Sequence, residues 1–347
     1  MSLDPRLAKI PGVTPARRWV VVALSAAGTL AAVALIALIW ALWTFNGDGP
    51  ISLHGSSTTV IVRRGASLGE VASSLERAGV VRSAAVFAAA AQVTGAAREL
   101  KPGEYEFGSR SPMSAVLLAI RNGDVVRHML TIPEGYTSEM VAETLQKMPT
   151  LTGEAPQAPE GAILPDSYQY ENGDDRAAVL KRMMDARDQT LAALWAERQP
   201  NLPFTIPEQA VILASIVEKE TGVATERPKV AAVFVNRLRL GMRLESDPTI
   251  IYGISRGRPL GRGLRLTEVN TPSPYNTYLI PGLPPTPIAN PGRAALAAVL
   301  DPPQSDALFF VADGSGGHAF AATYNEHLKN VAHWRDVQKA RAREAAK

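Results

Sequence analysis

The stretch IPEQAVILASIVEKETG, residues 206–222, places two glutamates directly after an uninterrupted run of uncharged side chains. Residues 210–217 are apolar or small on every side, which indicates a buried helix rather than a surface helix with one apolar face. Glu218 and Glu220 would then lie in the last turn of that helix. Carboxylates are seldom buried unless they are paired or functional.

The residues on either side of this stretch define the predicted ends of the helix. Thr205 is a predicted N-cap, Pro207 suits the first turn, and Glu208 would complete a capping box. Gly222 is a residue type that commonly follows the last helical residue. We therefore predict a helix from 206 to about 221.

Two physical effects bear on the pair of glutamates. The C-terminal end of a helix carries partial negative charge, and apolar surroundings disfavour an ionised group, so both raise a carboxyl pKa. A glutamic acid that stays protonated near neutral pH is suited to general acid catalysis. Residues i and i+2 of a helix point about 200° apart, so Glu218 and Glu220 cannot flank one bond as an acid and nucleophile pair.

A structural role for either glutamate is the alternative. One of them would pair with Lys219, Arg227 or Arg237 and close the helix. The residues of this stretch alone do not decide between the two roles.

Composition limits the class of protein. The chain has 347 residues, of which 46% are hydrophobic and 20% charged, which is typical of a globular protein. It has no cysteine, which excludes disulfides, cysteine nucleophiles and cysteine metal sites. No metal-binding spacing is present, so we predict no metal and no cofactor. The net charge of +3 gives little support for an anionic partner, and we predict no nucleic-acid binding.

Residues 19–45 form an uncharged stretch long enough to cross a bilayer as a helix. Tryptophans, which membrane interfaces favour, lie at both ends: Trp19, Trp40 and Trp43. Basic residues precede the stretch: Arg6, Lys9, Arg17 and Arg18. The positive-inside rule then places residues 1–18 in the cytoplasm and the rest of the chain outside the cytoplasmic (inner) membrane. A cleaved signal peptide is the alternative, but its apolar core is usually about 7–15 residues.

The segments after the anchor predict a small α+β module and then a larger one. Residues 46–57 form a predicted Gly- and Ser-rich linker. Residues 58–148 begin with a strand, a helix capped by Ser67 and Glu70, a second helix and a second strand. This order resembles a LysM glycan-binding module, and a plain α+β spacer is the alternative. A Pro-, Gly- and Thr-rich segment, 149–162, is the predicted boundary before a second domain, 160–347.

Four motifs in a fixed order carry a resemblance that covers essentially the whole chain. They are ASIVEKET (214–221), KVAAVFVNRLRLGMRLESDPTIIYG (229–253), SPYNTYLIPGLPPTPIANPG (273–292) and LFFVADGSGGHAFAATYNEHLKNV (308–331). Together they resemble the membrane-anchored endolytic murein transglycosylases, the MltG/YceG-like family. The implied fold class is α+β, with one transmembrane helix, a LysM-like module and a larger α+β catalytic domain.

The resemblance implies a chemistry that uses one carboxyl group. Such enzymes cleave the β-1,4 bond between N-acetylmuramic acid and N-acetylglucosamine, and the muramyl C6 hydroxyl attacks C1 to leave a 1,6-anhydro end. The catalytic glutamate of the motif corresponds to Glu220, which is followed by Thr221. The implied partners are peptidoglycan glycan strands, the membrane and peptidoglycan synthases. A single carboxylate also agrees with the geometric argument against a pair.

Further residues are candidates for support or substrate binding. Asn236 and Arg237 lie on a predicted helix, about 228–240, and Asp247 is placed either to act beside Glu220 or to cap a helix. The remaining candidates are Glu218, Tyr275, Asn276, Thr277, Tyr278 and His318, with His327 as a second titratable histidine. The loop tyrosines suit sugar faces or, alternatively, packing beside prolines. Glu245 stands where the family pattern has Gln, which adds a carboxylate nearby.

Three different functions fit parts of the sequence. GISRG at 253–257 matches the serine hydrolase pattern G-x-S-x-G, with Asp313 and His318 following in order, but it lacks the predicted strand and helix that this motif requires. The second is a hydrolytic glycosidase, and the third is a non-catalytic glycan-binding scaffold.

Overall fold

The computed structural model describes residues 15–52 and 55–345, which divide into two compact units at Val126 and Arg127. The first unit contains α1 (Pro15–Asn46), β1 (Ser57–Val62), α2 (Leu68–Arg77), α3 (Ala84–Val93), a short 3-10 helix (Ala96–Arg98), β2 (Gly103–Gly108) and α4 (Met113–Asn122). The helices of the second unit are α5 (Ser138–Gln146), α6 (Arg176–Ala196), α7 (Pro207–Glu220), α8 (Arg227–Arg239), α9 (Asp247–Ser255), α10 (Leu266–Val269), α11 (Arg293–Leu300) and α12 (Tyr324–Ala345). Its strands are β3 (Arg127–Thr131), β4 (Ser167–Glu171), β5 (Phe309–Ala312) and β6 (His318–Ala321). The predicted α+β class is confirmed.

The first helix contains the predicted membrane segment. Val22–Asn46 is long and apolar enough to cross a membrane. The tryptophans at its predicted ends are exposed: Trp19, Trp40 and Trp43. Of the basic residues that set the predicted orientation, Arg6 and Lys9 lie outside the described residues.

The first unit has the predicted order of strand, helix, helix and strand. β1 and β2 pair antiparallel, from Ser57 opposite Gly108 to Val62 opposite Gly103. The predicted capping box of α2 is present, because the Ser67 hydroxyl accepts from the Glu70 amide and the Glu70 side chain accepts from the Ser67 amide. The order therefore agrees with the prediction, whereas the identity of the unit as a LysM-like module stays a prediction.

The boundary between the units differs from the predicted one at 149–162. β3 pairs antiparallel with β4, across the Pro- and Gly-rich segment that was expected to separate two domains. The apolar side chains of β3, α5 and α6 share one core, which includes Leu130, Leu145 and Met183. Residues 127–148 therefore belong to the second unit, because their apolar faces are buried against partners that follow this segment.

The central helix of the second unit is α7. Its side chains from Leu213 to Val217 are all buried, and α7 packs against α8 and α11. This arrangement confirms the predicted buried helix, because a helix that is apolar on every side needs neighbours on several faces.

Both predicted ends of α7 need correction. The N-cap is Ile206, which makes no side-chain cap, and the Thr205 amide instead donates to the Gln209 side chain at 2.8 Å. At the other end Thr221 is extended, with φ −136°. Gly222 does not adopt a positive φ, so the chain leaves the helix through Thr221 rather than through a left-handed glycine.

Candidate active site

Glu220 is the last residue of α7 and is partly buried. The extended Thr221 that follows it directs the chain away from the helix axis. The buried part of α7 therefore holds the backbone of Glu220 in place. The Glu220 side chain lies at the end of the helix, at the edge of the core, where it is partly exposed to solvent.

One carboxyl oxygen of Glu220 is held by a serine that is not among the residues predicted from the sequence. The Ser246 hydroxyl donates to Glu220 Oε1 at 2.5 Å, and Ser246 itself is 1% exposed. Ser246 lies immediately before α9, which brings the start of that helix against the end of α7. The Ser-Asp-Pro sequence at 246–248, typical of a helix start, was the available signal.

The surroundings of Glu220 favour its protonated form. Burial raises the pKa of Glu220 to about 7, and the nearby negative charge of Asp247 adds to that rise. The hydrogen bond from Ser246 and the positive charge of Arg237 act in the opposite direction. At neutral pH the group can therefore both give and take a proton.

Asp247 and Tyr278 form a second polar pair beside Glu220. The Tyr278 hydroxyl donates to Asp247 Oδ1 at 2.8 Å, and Asp247 is exposed. Burial, this hydrogen bond and the charges of Asp247 and Glu220 raise the pKa of Tyr278 well above its ordinary value. Asp247 is the first residue of α9 and does not cap it, so the alternative role of helix cap is wrong.

Glu218 faces a different set of partners. Its Oε2 accepts from the Gly292 amide at 2.9 Å, and its Oε1 lies 3.5 Å from Arg227 Nη2. Arg227 is also 3.6 Å from Glu134. Burial raises the pKa of Glu218, with Glu134 adding to the rise and the Gly292 amide and Arg227 opposing it. The predicted separation of the two glutamates and the predicted pairing of Glu218 with an arginine are both seen.

Two of the loop candidates have their polar groups engaged by protein. Asn276 is buried and donates to the carbonyl oxygens of Val269 and Thr271, each at 2.8 Å. Thr277 is fully buried and accepts from the Ser246 amide at 3.0 Å. These two side chains hold the loop together rather than line an open surface.

Tyr275 is also held by protein neighbours. Its ring lies 4.9 Å from the ring of Tyr252, edge to face, and its hydroxyl is 2.9 Å from that of Thr286. This agrees with the alternative of packing within the Pro-rich loop. Tyr278, by contrast, reaches the neighbourhood of Glu220 through its hydrogen bond to Asp247.

The candidates on α8 support the loops that follow it. Asn236 donates to the carbonyl oxygens of Ser305 at 2.7 Å and of Ala307 at 3.2 Å. Arg237 is buried and donates to the carbonyl oxygens of Leu308 and Leu244, and its Nη1 lies 2.9 Å from Glu245. The unexpected carboxylate of Glu245 is thus paired with Arg237.

The two histidines lie outside the immediate surroundings of Glu220. His318 Nδ1 is 2.7 Å from Glu226, and its ring packs edge to face on Phe310. The His327 ring stacks on Phe309, and burial lowers its pKa. The groups that act on Glu220 are Ser246, Asp247 and Arg237, and neither histidine is among them, so the structure does not bring His318 into the candidate site.

The serine hydrolase alternative is wrong. Ser255 ends helix α9 instead of following a strand, and its Oγ lies 2.6 Å from the carbonyl oxygen of Arg258. Asp313 accepts from Ser315, and His318 pairs with Glu226. The three residues of the supposed triad therefore have separate partners. Within residues 15–52 and 55–345, no group of three or more His, Asp or Glu side chains is arranged to hold a metal ion.

Comparison with known proteins gives one consistent family. The family model described as the YceG-like family matches residues 60–333. Two relatives from Streptococcus pneumoniae, strains D39 and R6, are named endolytic murein transglycosylase and are 29% identical over 324 aligned residues. That alignment covers 79% of this chain and 58% of each relative.

Two further similar proteins agree with the match to the YceG-like family. A Bacillus subtilis protein named endolytic murein transglycosylase is 34% identical over 173 residues, which cover 49% of this chain and 46% of that protein. The crystal structure of a yceG-like protein from Listeria monocytogenes superposes with a TM-score of 0.50 at 26% identity, covering 79% of this chain and 98% of that one. The chain matches less than two thirds of the length of these curated relatives.

Proposed function

Because the chain belongs to the YceG-like family, we propose that it is an endolytic murein transglycosylase with Glu220 as its single acid and base. The main support for the proposal is the position, the exposure and the pKa of the Glu220 side chain. It ends a buried helix, keeps a surface open to solvent, and has a pKa of about 7. The shared name of the curated relatives supports the substrate class.

The proposed reaction needs one group that acts twice. Protonated Glu220 gives its proton to the glycosidic oxygen as the bond between C1 of N-acetylmuramic acid and that oxygen breaks. The muramyl C6 hydroxyl then bonds to C1, and its proton returns to the Glu220 carboxylate. No water is consumed, the product carries a 1,6-anhydro end, and Glu220 is protonated again for the next cycle.

Asp247 and Tyr278 are proposed to assist at the same place. The transition state of glycoside cleavage carries positive charge near C1. The exposed Asp247 carboxylate is close enough to influence Glu220, so it offers negative charge to that centre. Tyr278, which donates to Asp247, would fix its orientation.

The remainder of the chain is proposed to bring this site to its substrate. α1 would anchor the chain in the cytoplasmic membrane with the N-terminus inside, because a long apolar helix follows basic residues. Residues 58–126 would bind glycan as a LysM-like module, and residues 127–347 would carry catalysis. A tethered site reaches only the wall nearest the membrane, which favours nascent strands and neighbouring peptidoglycan synthases.

The test compares two glutamates that differ by two positions. The purified chain is incubated with glycan strands, and the products are analysed by mass spectrometry. We expect anhydro ends from the parent chain, no cleavage by Glu220→Gln, and cleavage within about tenfold of the parent by Glu218→Gln. Cleavage that survives in Glu220→Gln would reject this residue as the catalyst.

The same products separate two competing functions from the proposed one. A hydrolytic glycosidase would give ends heavier by one water molecule than anhydro ends. A non-catalytic scaffold would bind strands and leave their length unchanged. Either result would replace the proposed reaction while leaving the family assignment in place.

A further inference from the structure

A cluster of three buried hydroxyl side chains lies directly beside Glu220. Its members are Ser246, Thr249 and Thr277, which are 1%, 0% and 0% exposed. The Thr249 hydroxyl donates to the Ser246 carbonyl oxygen at 2.7 Å and lies 2.9 Å from Thr277 Oγ1. Thr277 Oγ1 accepts from the Ser246 amide at 3.0 Å. We call these residues the hydroxyl cluster.

The protons of the hydroxyl cluster can be assigned, because each hydroxyl has only one. Thr249 Oγ1 lies 2.7 Å from the Ser246 carbonyl oxygen and Thr277 Oγ1 lies 3.5 Å from it. The shorter distance favours Thr249 as the donor to that carbonyl oxygen and Thr277 as the donor to Thr249. The amide and carbonyl of Ser246 are therefore both engaged. Its hydroxyl proton goes to Glu220 Oε1, at 2.5 Å.

The direction of the Ser246 hydrogen bond is unusual for a residue in its position. Ser246 is the N-cap of α9, where a serine oxygen commonly accepts from an amide of the first turn. Here it makes no such bond, and the hydroxyl is turned toward Glu220 instead. A serine that only began the helix would have no reason to face the carboxyl group.

This contact distinguishes the two oxygens of Glu220. Oε1 accepts from Ser246, so in the protonated acid Oε1 is the carbonyl oxygen and the proton is on Oε2. Across the described part of the chain, Oε2 has no hydrogen-bond partner and is not one of the buried polar atoms left unpaired. Oε2 is therefore not fully enclosed by protein, and it is the oxygen left available for a hydrogen bond with a substrate oxygen.

We propose that Ser246 is a positioning residue that keeps the transferable proton of Glu220 on Oε2 and stabilises the carboxylate once that proton has left. This role of Ser246 has a meaning in catalysis only through the proposed function of Glu220, on which it rests. The hydroxyl cluster fixes the Ser246 backbone, so the donor does not need to reorient during the reaction.

Other charged and titratable groups also face Glu220. Asp247, from α9, raises its pKa, and Arg237, from α8, lowers it. Tyr278, from the loop after α10, interacts with Glu220 electrostatically. The Ser246 hydrogen bond favours the ionised form of Glu220, so its loss should raise the pKa of the carboxyl group.

The test measures that pKa directly, without substrate. The full chain, in detergent micelles with carbon-13 in its glutamate carboxyls, is titrated by NMR, and Glu220→Gln identifies the resonance. We expect Ser246→Ala to raise the Glu220 pKa by about one unit. Ser246→Thr should restore the parent value, because it keeps the hydroxyl.

A matched control lies on α7 itself. Ser215 is also fully buried, and its hydroxyl donates to the Ile212 carbonyl oxygen and accepts from the Ile288 amide. Ser215→Ala should lower stability without moving the Glu220 resonance. An unchanged Glu220 pKa in Ser246→Ala, or an equal change in Ser215→Ala, would overturn the inference. If Ser246→Ala does not fold, Ser246→Cys makes the same comparison with a weaker donor.

Activity supplies a second and separable readout. In Ser246→Ala the alkaline limb of the pH profile of kcat/KM should move to higher pH, because the pKa of Glu220 rises. We also expect kcat to fall about tenfold or more and KM to change little. If the NMR shift appears and no variant, including the parent, cleaves glycan strands, the positioning of Glu220 holds and the proposed reaction fails. If the parent cleaves glycan strands and Ser246→Ala leaves the Glu220 pKa unchanged, the proposed reaction holds and the positioning role of Ser246 fails.

Discussion

A single carboxyl group, that of Glu220, links the stability of this protein to its proposed chemistry. Burial of Glu220 favours its neutral form, and the hydrogen bond from Ser246 favours the charged one. The first effect is the larger. The same imbalance that would make Glu220 a proton donor near neutral pH makes its ionisation unfavourable for the fold.

Glu220 should therefore make the free energy of unfolding depend on pH. Its folded pKa is about 7, whereas that of an unfolded glutamic acid is about 4.3. A raised pKa contributes stability that is fully present below about pH 4 and is lost as the pH rises to about 7. Because solvent reaches part of the side chain, we expect Glu220→Gln to exceed the parent in stability at pH 8 by only about 1–2 kcal/mol. Near pH 4 that difference should vanish.

Chemical denaturation of the full chain at both pH values measures this effect. The control is Glu197→Gln, since Glu197 is an exposed glutamate just after α6. The control should alter stability little and equally at pH 4 and pH 8. A Glu220→Gln variant with the same behaviour as this control would show that burial does not govern the Glu220 pKa.

The glutamate pair also illustrates how two residues of one motif can differ in their surroundings. Glu218 accepts from the Gly292 amide and faces Arg227, whereas Glu220 meets Ser246 at the helix end. Their separation follows from the angle between positions i and i+2 of a helix. The residues that donate to them, Gly292 and Ser246, come from two different segments of the chain.

At the scale of elements, α7 is the support on which the candidate site rests. Ile216 is fully buried in the core that α7 forms with α8 and α11, whereas Ile206, just before the helix, is 50% exposed. Removing side-chain volume from a packed core costs the transfer free energy and leaves a cavity. The same truncation at an exposed site costs little.

Ile216→Ala is accordingly expected to lower the free energy of unfolding by about 2–5 kcal/mol, and Ile206→Ala by less than about 1 kcal/mol. Thermal or chemical denaturation of the two variants gives the comparison, because the chemical change is the same in both. Equal losses would mean that α7 is not packed as the structure has it.

At the scale of the whole molecule, the predicted orientation in the membrane can be tested cleanly because the chain contains no cysteine. A single cysteine introduced by Ser2→Cys would report on the N-terminus, and Ser56→Cys would report on the exposed segment before β1. In intact cells with a permeable outer envelope, a membrane-impermeant maleimide should label Ser56→Cys and spare Ser2→Cys. After the membrane is disrupted, both should react.

The opposite labelling pattern would reverse the proposed topology and place residues 127–347 in the cytoplasm, away from the cell wall. The parent chain is the control for this experiment, since it has no cysteine and should remain unlabelled in both conditions. Labelling of both positions in intact cells would mean that the maleimide crosses the membrane, and a bulkier, charged maleimide would then replace it.

The sequence by itself determined the features that depend on neighbours along the chain. These are the long apolar helix near the N-terminus, the capping box at Ser67, the buried character of α7, and the divergence of Glu218 from Glu220. Helix periodicity and local hydrogen bonds produce these features, so they can be predicted from spacing. The motifs added the family, which the matched family model confirms.

Only the tertiary structure decided which distant residues meet. It put β3 with β4 across the expected domain boundary, engaged Asn276 and Thr277 inside the protein, and brought Ser246 to Glu220. A side chain's spacing along the chain does not fix its long-range hydrogen-bond partner. That choice depends on how buried polar groups are jointly satisfied once the helices have packed.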